Sequence, residues 1–179
     1  MSDLLRSALF AASMALLPAV SWADTSGCRP LPQDFVLCAQ GTEWETARLE
    51  TLTDGVFFES TELWLEVFTL PEDYPVDASL DAILDLIEIE FTMETEAEGL
   101  EAPVTVSRDR FRTEYLDVAA LTNRVAMEPG EIESFVTMVA EADGRRITIS
   151  IDPGEDVPPE HLFDATRAIV ELIRPASGG

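Results

Sequence analysis

The run S-F-V-T-M-V-A-E-A-D-G-R-R-I-T-I-S-I, residues 134–151, holds the clearest folding signal in this sequence. Two strand-like segments, 134–141 and 145–151, flank Ala142-Asp143-Gly144. Asp-Gly is favoured at the tip of a short hairpin because both positions of the tight turn take positive φ. We therefore predict an antiparallel hairpin here, which ends at Asp152-Pro153-Gly154.

Further strand-like segments lie upstream of this hairpin. They are rich in β-branched and aromatic residues and cover 35–38, 44–49, 56–59, 63–70, 104–112 and 115–122. Turn signals at Asp54-Gly55 and Pro129-Gly130 separate some of them. Their short connections favour antiparallel neighbours.

Two helices are predicted, one on each side of the later strands. The first starts at Asp77 or Ser79, either of which can cap it, and its apolar stripe is Leu80, Ile83, Leu84, Ile87 and Phe91. Residues 87–94 also alternate like a strand, but the stripe continues from Leu80 without a turn residue, which favours a helix. The second helix begins at Pro158 or Pro159, carries Leu162, Thr166, Ile169 and Ile173 on one face, and stops at Pro175.

The order of strands, helix, strands and helix predicts an α+β fold, in which two helices pack on an antiparallel β-sheet as a single αβ-sandwich domain. In this order, in the Asp143-Gly144 hairpin and in the final helix from Leu162 to Ile173, the chain resembles the PsbP-like superfamily. The resemblance spans roughly Gly41 to Pro175. It implies the fold of an extrinsic photosystem II subunit, which many small exported bacterial proteins share. No ligand or catalytic residue carries over, because members do unrelated jobs.

The N-terminus has the build of a secretory signal peptide. Arg6 precedes an apolar run through Val20, and Ser21-Trp22-Ala23 resembles a cleavage site. We expect cleavage after Ala23, a periplasmic or secreted location, and no membrane span. The expected divisions are 1–23 as leader, 24–40 as a disulfide-tied segment, 41–175 as the α+β domain and 176–179 as a flexible tail.

The two cysteines, Cys28 and Cys38, are expected to form one structural disulfide in an oxidising compartment. A redox role is disfavoured because nine residues separate them. Lipidation of Cys28 is the alternative. Small residues precede it, but Thr25 stands where an aliphatic residue is usual.

The charge balance is strongly acidic, with 35 Asp and Glu against 11 basic residues and a net charge of −24. All 11 basic residues are Arg. A surface this negative repels phosphate backbones, which excludes nucleic-acid binding. Solubility and salt tolerance are the simplest account of the acidity.

The sequence contains no recognisable catalytic or metal-binding constellation. His161 is the only histidine, and no Gly-x-Ser-x-Gly elbow occurs, so a hydrolytic triad is disfavoured. The densest acidic block is Glu88, Glu90, Glu94, Glu96, Glu98 and Glu101. It lacks the spacing of a calcium loop, and a solvated helix end is the simpler interpretation. We expect no metal and no cofactor.

The one concentrated basic feature is Arg108, Arg110 and Arg112, here named the arginine stripe. Their alternation puts all three on one face of a strand, and Arg145 and Arg146 would extend the stripe if the hairpin lies nearby. Guanidinium groups bind carboxylate or phosphate in pairs of hydrogen bonds. An anion-binding site is the functional interpretation, and a row of ion pairs with neighbouring acids is the structural one.

The sequence therefore favours a non-enzymatic, monomeric binding or accessory protein of the cell envelope. Its partner would be an unidentified protein or small anion on the Arg-bearing face. The alternatives are a carboxylate-based hydrolase and a passive acidic protein that buffers cations. A concave pocket with two convergent, partly buried carboxylates would favour an enzyme, and a face with unpaired Arg108, Arg110 and Arg112 would favour a binder.

Overall fold

The structure, a computed structural model, describes residues 27–60, 63–128, 131–153 and 159–176. The expected signal peptide and its cleavage site lie outside these residues. The strands are β1 (Arg29–Leu31), β2 (Phe35–Leu37), β3 (Arg48–Thr51), β4 (Gly55–Glu59), β5 (Leu63–Thr69), β6 (Val104–Arg112), β7 (Asp117–Glu128), β8 (Glu131–Ala142), β9 (Arg145–Pro153) and β10 (Ile173–Pro175). The helices are α1 (Leu80–Ala97) and α2 (Pro159–Val170).

The predicted hairpin is confirmed and lies inside a seven-stranded antiparallel sheet. Strands β8 and β9 pair through Ala142 and Arg145, and the two turn residues, Asp143 and Gly144, have φ of 52° and 73°. Positive φ at both positions is the requirement that favours Asp-Gly in such turns. The full strand order is β3-β4-β5-β9-β8-β7-β6, so β9 and β8 have neighbours on both sides.

The two helices cover opposite faces of this sheet. Helix α2 and a small sheet of β1, β2 and β10 pack on one face, around a large core that includes Leu65, Met138, Ile149, Leu162 and Ile173. Helix α1 packs on the other face, where Leu80, Ile83 and Leu84 meet Leu121 and Val139. The predicted α+β architecture of two helices on an antiparallel sheet is therefore confirmed.

The disulfide Cys28–Cys38 forms as predicted, next to the small sheet of β1, β2 and β10. Strand β2 pairs with β1 on one side and with β10 on the other. The predicted second helix is too long at its end, because Leu172 N donates to Ile169 O and closes the helix. Ile173, expected on the helix, lies in β10 opposite Leu37, so main-chain pairing with β2 replaces the last helical turn.

The first half of the chain follows the prediction with one error. Residues 44–49 were expected to form a strand, but residues Glu43–Glu45 form a 3-10 turn and β3 starts at Arg48. The turn buries the Trp44 ring in the main core, which a flat edge strand at this position would not do. Helix α1 is a helix throughout, as preferred, and Ser79 is its cap: its Oγ accepts from Ala82 N at 3.2 Å.

Within the ranges that the structure describes, neither helix combines the length and the hydropathy that a membrane crossing requires.

Gly55 gives a test of the pairing between β4 and β5. It lies opposite Phe68, whose ring covers it, and a Cβ at this position would sit 2.5 Å from Val67 O and as close to the ring. Gly55→Ala is expected to lower the free energy of unfolding by about 1–3 kcal/mol, as overpacking does. Urea denaturation followed by circular dichroism measures it, with Thr51→Ala on exposed β3 as the control. Equal free energies of unfolding for the two variants would contradict the close packing of Phe68 and Val67 against Gly55.

Candidate functional site

The arginine stripe lies on the face that α1 covers, and acidic side chains already bind it. Arg108 donates to Asp85 Oδ1 at 2.6 Å and also bonds Glu88, both on α1. Arg110 pairs with Asp81 of α1 at 2.9 Å. The stripe therefore binds the acidic side of α1 to β6. The hydrogen bond to Asp85, together with the charges of Asp85 and Glu88, raises the pKa of Arg108.

Arg112 and Arg146 belong to one charged row across four strands. Arg112 pairs with Asp117 at 2.9 Å, Asp117 lies opposite Glu141, and Glu141 accepts from Arg146. Opposite charges on neighbouring strands stabilise a sheet face. The structural interpretation of the stripe, a set of ion pairs, agrees with these contacts, although most of the partners come from a helix.

Arg145 is not brought to the stripe, because adjacent residues of a strand point to opposite faces. Its guanidinium lies 5.4 Å from the centre of the Phe35 ring, on the face of the small sheet, and pairs with Asp143 at 3.5 Å. The structure thus groups Arg108, Arg110, Arg112 and Arg146 on one face and separates Arg145 from them.

A cleft of about 420 Å³ opens on the same face, and residues from the second half of α1 and from the sheet line it. The first turns of α1 turn Leu80, Ile83 and Leu84 to the sheet, all buried. Glu94, near the end of α1, and Glu98, directly after it, line the cleft. We name these two the wall glutamates. Both are exposed, whereas Phe91 and Thr95 of the same helix segment line the cleft as half-buried and buried residues.

The floor of the cleft is also acidic. Glu66 on β5, Asp152 on β9 and Glu133 on β8, here named the floor acids, come from three adjacent strands of the sheet. The register pairs Trp64 with Asp152 and Glu66 with Ser150, so Glu66 is a diagonal neighbour of Asp152. With Glu88 and Glu90, the lining of this cleft has seven acidic residues and, among the described residues, no basic one.

This arrangement perturbs the floor acids. Burial raises the pKa of Asp152 to about 6, and the charges of Glu66 and Glu133 add to the effect. Burial also raises the pKa of Glu66. At the edge of the cleft Tyr74 donates its hydroxyl to Glu90, and burial together with this bond raises the Tyr74 pKa. Like charges this close disfavour ionisation unless a cation joins them.

The rest of the lining is mostly apolar, and its uncharged polar members are Thr95, Asn123, Thr137 and Ser150. Phe91 of α1 meets Phe135 of β8 edge to face, with 4.6 Å between ring centres, and Leu121 and Val125 lie beside them. Asn123 also lines the cleft and is only 2% exposed, yet its Oδ1 has no hydrogen-bond partner within the described part of the chain. A buried acceptor without a donor is costly, so this position favours a ligand that donates hydrogen bonds.

The acidic block of the sequence, interpreted there as a solvated helix end, supplies part of this lining. Four of the six glutamates in the acidic block, Glu88, Glu90, Glu94 and Glu98, line the cleft, whereas Glu96 and Glu101 do not. The floor acids were missed, because nothing local in the sequence shows that β5 lies beside β9. His161, as expected, is an exposed residue near the start of α2. No group of three or more His, Cys, Asp or Glu among the described residues can hold a metal.

Asp152 predicts an unusual pH dependence of stability. An acid whose pKa is raised in the folded state stabilises the fold while protonated, and that contribution is lost as pH rises through about 6. Asp152→Asn should therefore raise the free energy of unfolding by about 1–2 kcal/mol at pH 7.5 and much less at pH 4. Urea denaturation at both pH values measures the difference.

The control for this variant is Asp164→Asn, which removes the same charge from an exposed position on α2. It should leave the pH profile of the wild type unchanged. Equal stabilisation by both substitutions would attribute the effect to the net charge and contradict a specific role for the floor.

The comparisons with known proteins bear on the fold. No family model matches the chain, and no curated protein matches it significantly. Among solved structures it is similar to the solution structure of cyanobacterial PsbP (CyanoP) from Synechocystis sp. PCC 6803, with a TM-score of 0.52 and 12% identity over 72% of this chain and 81% of that one.

Two further structures are similar at lower scores. One is a protein of unknown function, PA94 of Pseudomonas aeruginosa, a putative regulator by its description, with a TM-score of 0.41, 10% identity and coverage of 70% of this chain and 94% of that one. The other is LpqN of Mycobacterium tuberculosis, involved in cell envelope biogenesis, with a TM-score of 0.38, 14% identity and coverage of 81% and 80%. The conclusion rests on the first similarity, which concerns the fold alone: this chain has the PsbP-like fold.

Proposed function

We propose that this chain is a non-enzymatic binding or accessory protein of the cell envelope, and that its ligand is a cation that occupies the acidic cleft. The observation that carries the proposal is the lining of the cleft, which has seven carboxylates, an unsatisfied acceptor at Asn123 and no basic residue among those described. Ionised carboxylates only accept hydrogen bonds. What this site lacks is a positively charged donor.

This proposal differs from the anion site that is the functional interpretation of the arginine stripe. That hypothesis needs guanidinium groups open to a ligand, whereas Arg108 and Arg110 bind acids of α1 and Arg112 binds Asp117. An anion would have to displace these carboxylates in a protein of net charge −24. The contacts on this face support a structural role for the stripe, and the long-range charge supports attraction of cations.

The character of the cleft favours an organic cation over a metal ion. A bound metal needs several oxygen atoms that converge at about 2.0–2.6 Å, and the described residues form no such group. The volume of about 420 Å³ and the rings of Phe91 and Phe135 suit a ligand with an apolar body. Aromatic faces near a carboxylate also attract ammonium groups.

An extracytoplasmic location is part of the proposal. The disulfide Cys28–Cys38 is paired, and such bonds persist in oxidising compartments. The N-terminal 23 residues have the build of a secretory leader. Both observations support a periplasmic or secreted protein.

A carboxylate-based hydrolase is the second candidate, and one observation favours it. Asp152, with its pKa raised to about 6, could act as a general acid beside Glu66 in a concave site. Hydrolysis of chromogenic glycosides or esters that Asp152→Asn abolishes would establish it.

A thermal-shift experiment at constant ionic strength tests the proposed function. Alkylammonium ions are expected to raise the unfolding temperature in a saturable manner, because they neutralise the floor acids, whereas phosphate, sulfate and citrate should act only as NaCl does. The response to alkylammonium should disappear in Glu66→Gln/Asp152→Asn.

The matched control is Asp77→Asn/Asp164→Asn, which removes two exposed charges outside the cleft lining. It should keep the alkylammonium response. Saturable stabilisation by one anion, lost in Arg110→Glu, would instead establish the arginine stripe as the site and overturn the proposal.

A further inference from the structure

The acidic cleft carries negative charge on two opposed surfaces. The floor acids, Glu66, Asp152 and Glu133, belong to the sheet, whereas the wall glutamates, Glu94 and Glu98, lie at the end of α1 and directly after it. Apolar side chains of both layers line the same cleft, with Phe91 on the helix and Phe135 on the sheet in contact. The lining thus combines apolar side chains with two groups of acids, the floor acids and the wall glutamates, which we name the two poles.

In the part of the chain that the structure describes, none of these five carboxylates forms an ion pair. Among the described residues, no Arg or His lies within 4.0 Å of a floor acid or a wall glutamate. The other two acids of the lining differ, since Glu88 binds Arg108 and Glu90 accepts from Tyr74. The uncompensated charge is therefore divided between the two layers.

We propose that the ligand class is the linear aliphatic diamines and polyamines, a proposal that rests on the cation-binding function above and narrows it. One ammonium would bind the floor acids and a second would bind the wall glutamates. The methylene chain between them would lie along Phe91 and Phe135. A monoamine compensates only one pole and leaves the other as it is.

Asn123 supports this class independently of the acidic residues. Its Oδ1 is buried, lines the cleft and has no donor among the described residues. An ammonium group has three N–H donors and no acceptor. An ammonium group at the floor can therefore donate to a carboxylate and to this amide oxygen at once. Ionised carboxylates are acceptors only and cannot supply such a donor.

The apolar part of the lining explains why the cleft should bind an aliphatic chain with charged ends more tightly than a compact, fully hydrated dication. Burial of methylene groups against apolar side chains is favourable because it removes them from water. A hydrated Mg²⁺ ion gains nothing from the rings of Phe91 and Phe135. A chain with charged ends matches both properties of the cleft.

Isothermal titration calorimetry with the full mature chain tests the proposal. The ligands are 1,5-diaminopentane, spermidine, pentylamine and MgCl₂, at fixed ionic strength because salt screens these charges. The wild type should bind 1,5-diaminopentane at least about tenfold more tightly than pentylamine, which corresponds to one additional ion pair at about 1.4 kcal/mol. Spermidine should bind at least as tightly as the diamine.

Two double variants separate the poles. Glu66→Gln/Asp152→Asn removes charge from the floor and Glu94→Gln/Glu98→Gln removes it from the wall, and each should reduce diamine affinity by at least about tenfold. The wall variant should change pentylamine affinity by less than about threefold, because a single ammonium keeps the floor. Asp77→Asn/Asp164→Asn is again the control and should bind like the wild type.

The outcomes distinguish this proposal from the one on which it rests. Equal affinity for diamine and monoamine, both lost in the floor variant, would overturn the diamine class and leave the cation site intact. Tighter binding of Mg²⁺ than of any amine would overturn the class in the same way. Absence of binding by all four ligands would overturn both proposals.

Discussion

The antiparallel pairing of β8 with β9 is the interaction on which the rest of this structure depends. Both strands lie inside the sheet, and both faces of the sheet are covered, by α2 with the small sheet on one side and by α1 on the other. Because side chains alternate between faces, Met138 and Ile149 build one core while Val139 contributes to the other. A shift of one residue in this register would exchange the two sets and dismantle both layers.

That register also determines where charge accumulates. Strands β5, β9, β8 and β7 each bring an acidic or polar residue to the cleft. The end of α1 adds glutamates to the same lining. The helix is held at its other end by Arg108 and Arg110, so it need not contact the sheet along its whole length. Unfavourable groups of this kind reduce stability and are common where a protein binds a ligand. The uncompensated charge of the cleft is therefore the feature that supports the proposed cation site.

The sequence predicted the fold more fully than the site. Local signals decide the elements: Asp143-Gly144 identifies the hairpin and the apolar stripe from Leu80 identifies α1, and both are confirmed. Trp44 and Ile173 were misassigned because tertiary contacts, burial in the core and pairing with β2, override local pattern. Glu66 and Asp152 were not recognised at all, since 85 residues separate them in the sequence and only the pairing of β5 with β9 makes them neighbours. Likewise, the arginine stripe shows its alternation in the sequence but not the helix that binds it.

The pairing of β10 with β2 has a consequence for how the molecule forms. Residues 35–37 remain without their second neighbouring strand until residues 173–175 are present, and both segments contribute Leu37 and Ile173 to the main core. Contacts between such distant parts of a chain require closure of a long loop and are slow to form. The main core therefore remains incomplete until residues 173–175 have paired with β2. A chain in which this pairing is lost would expose the edge of β2, and an unpaired strand edge is a template for association with other chains.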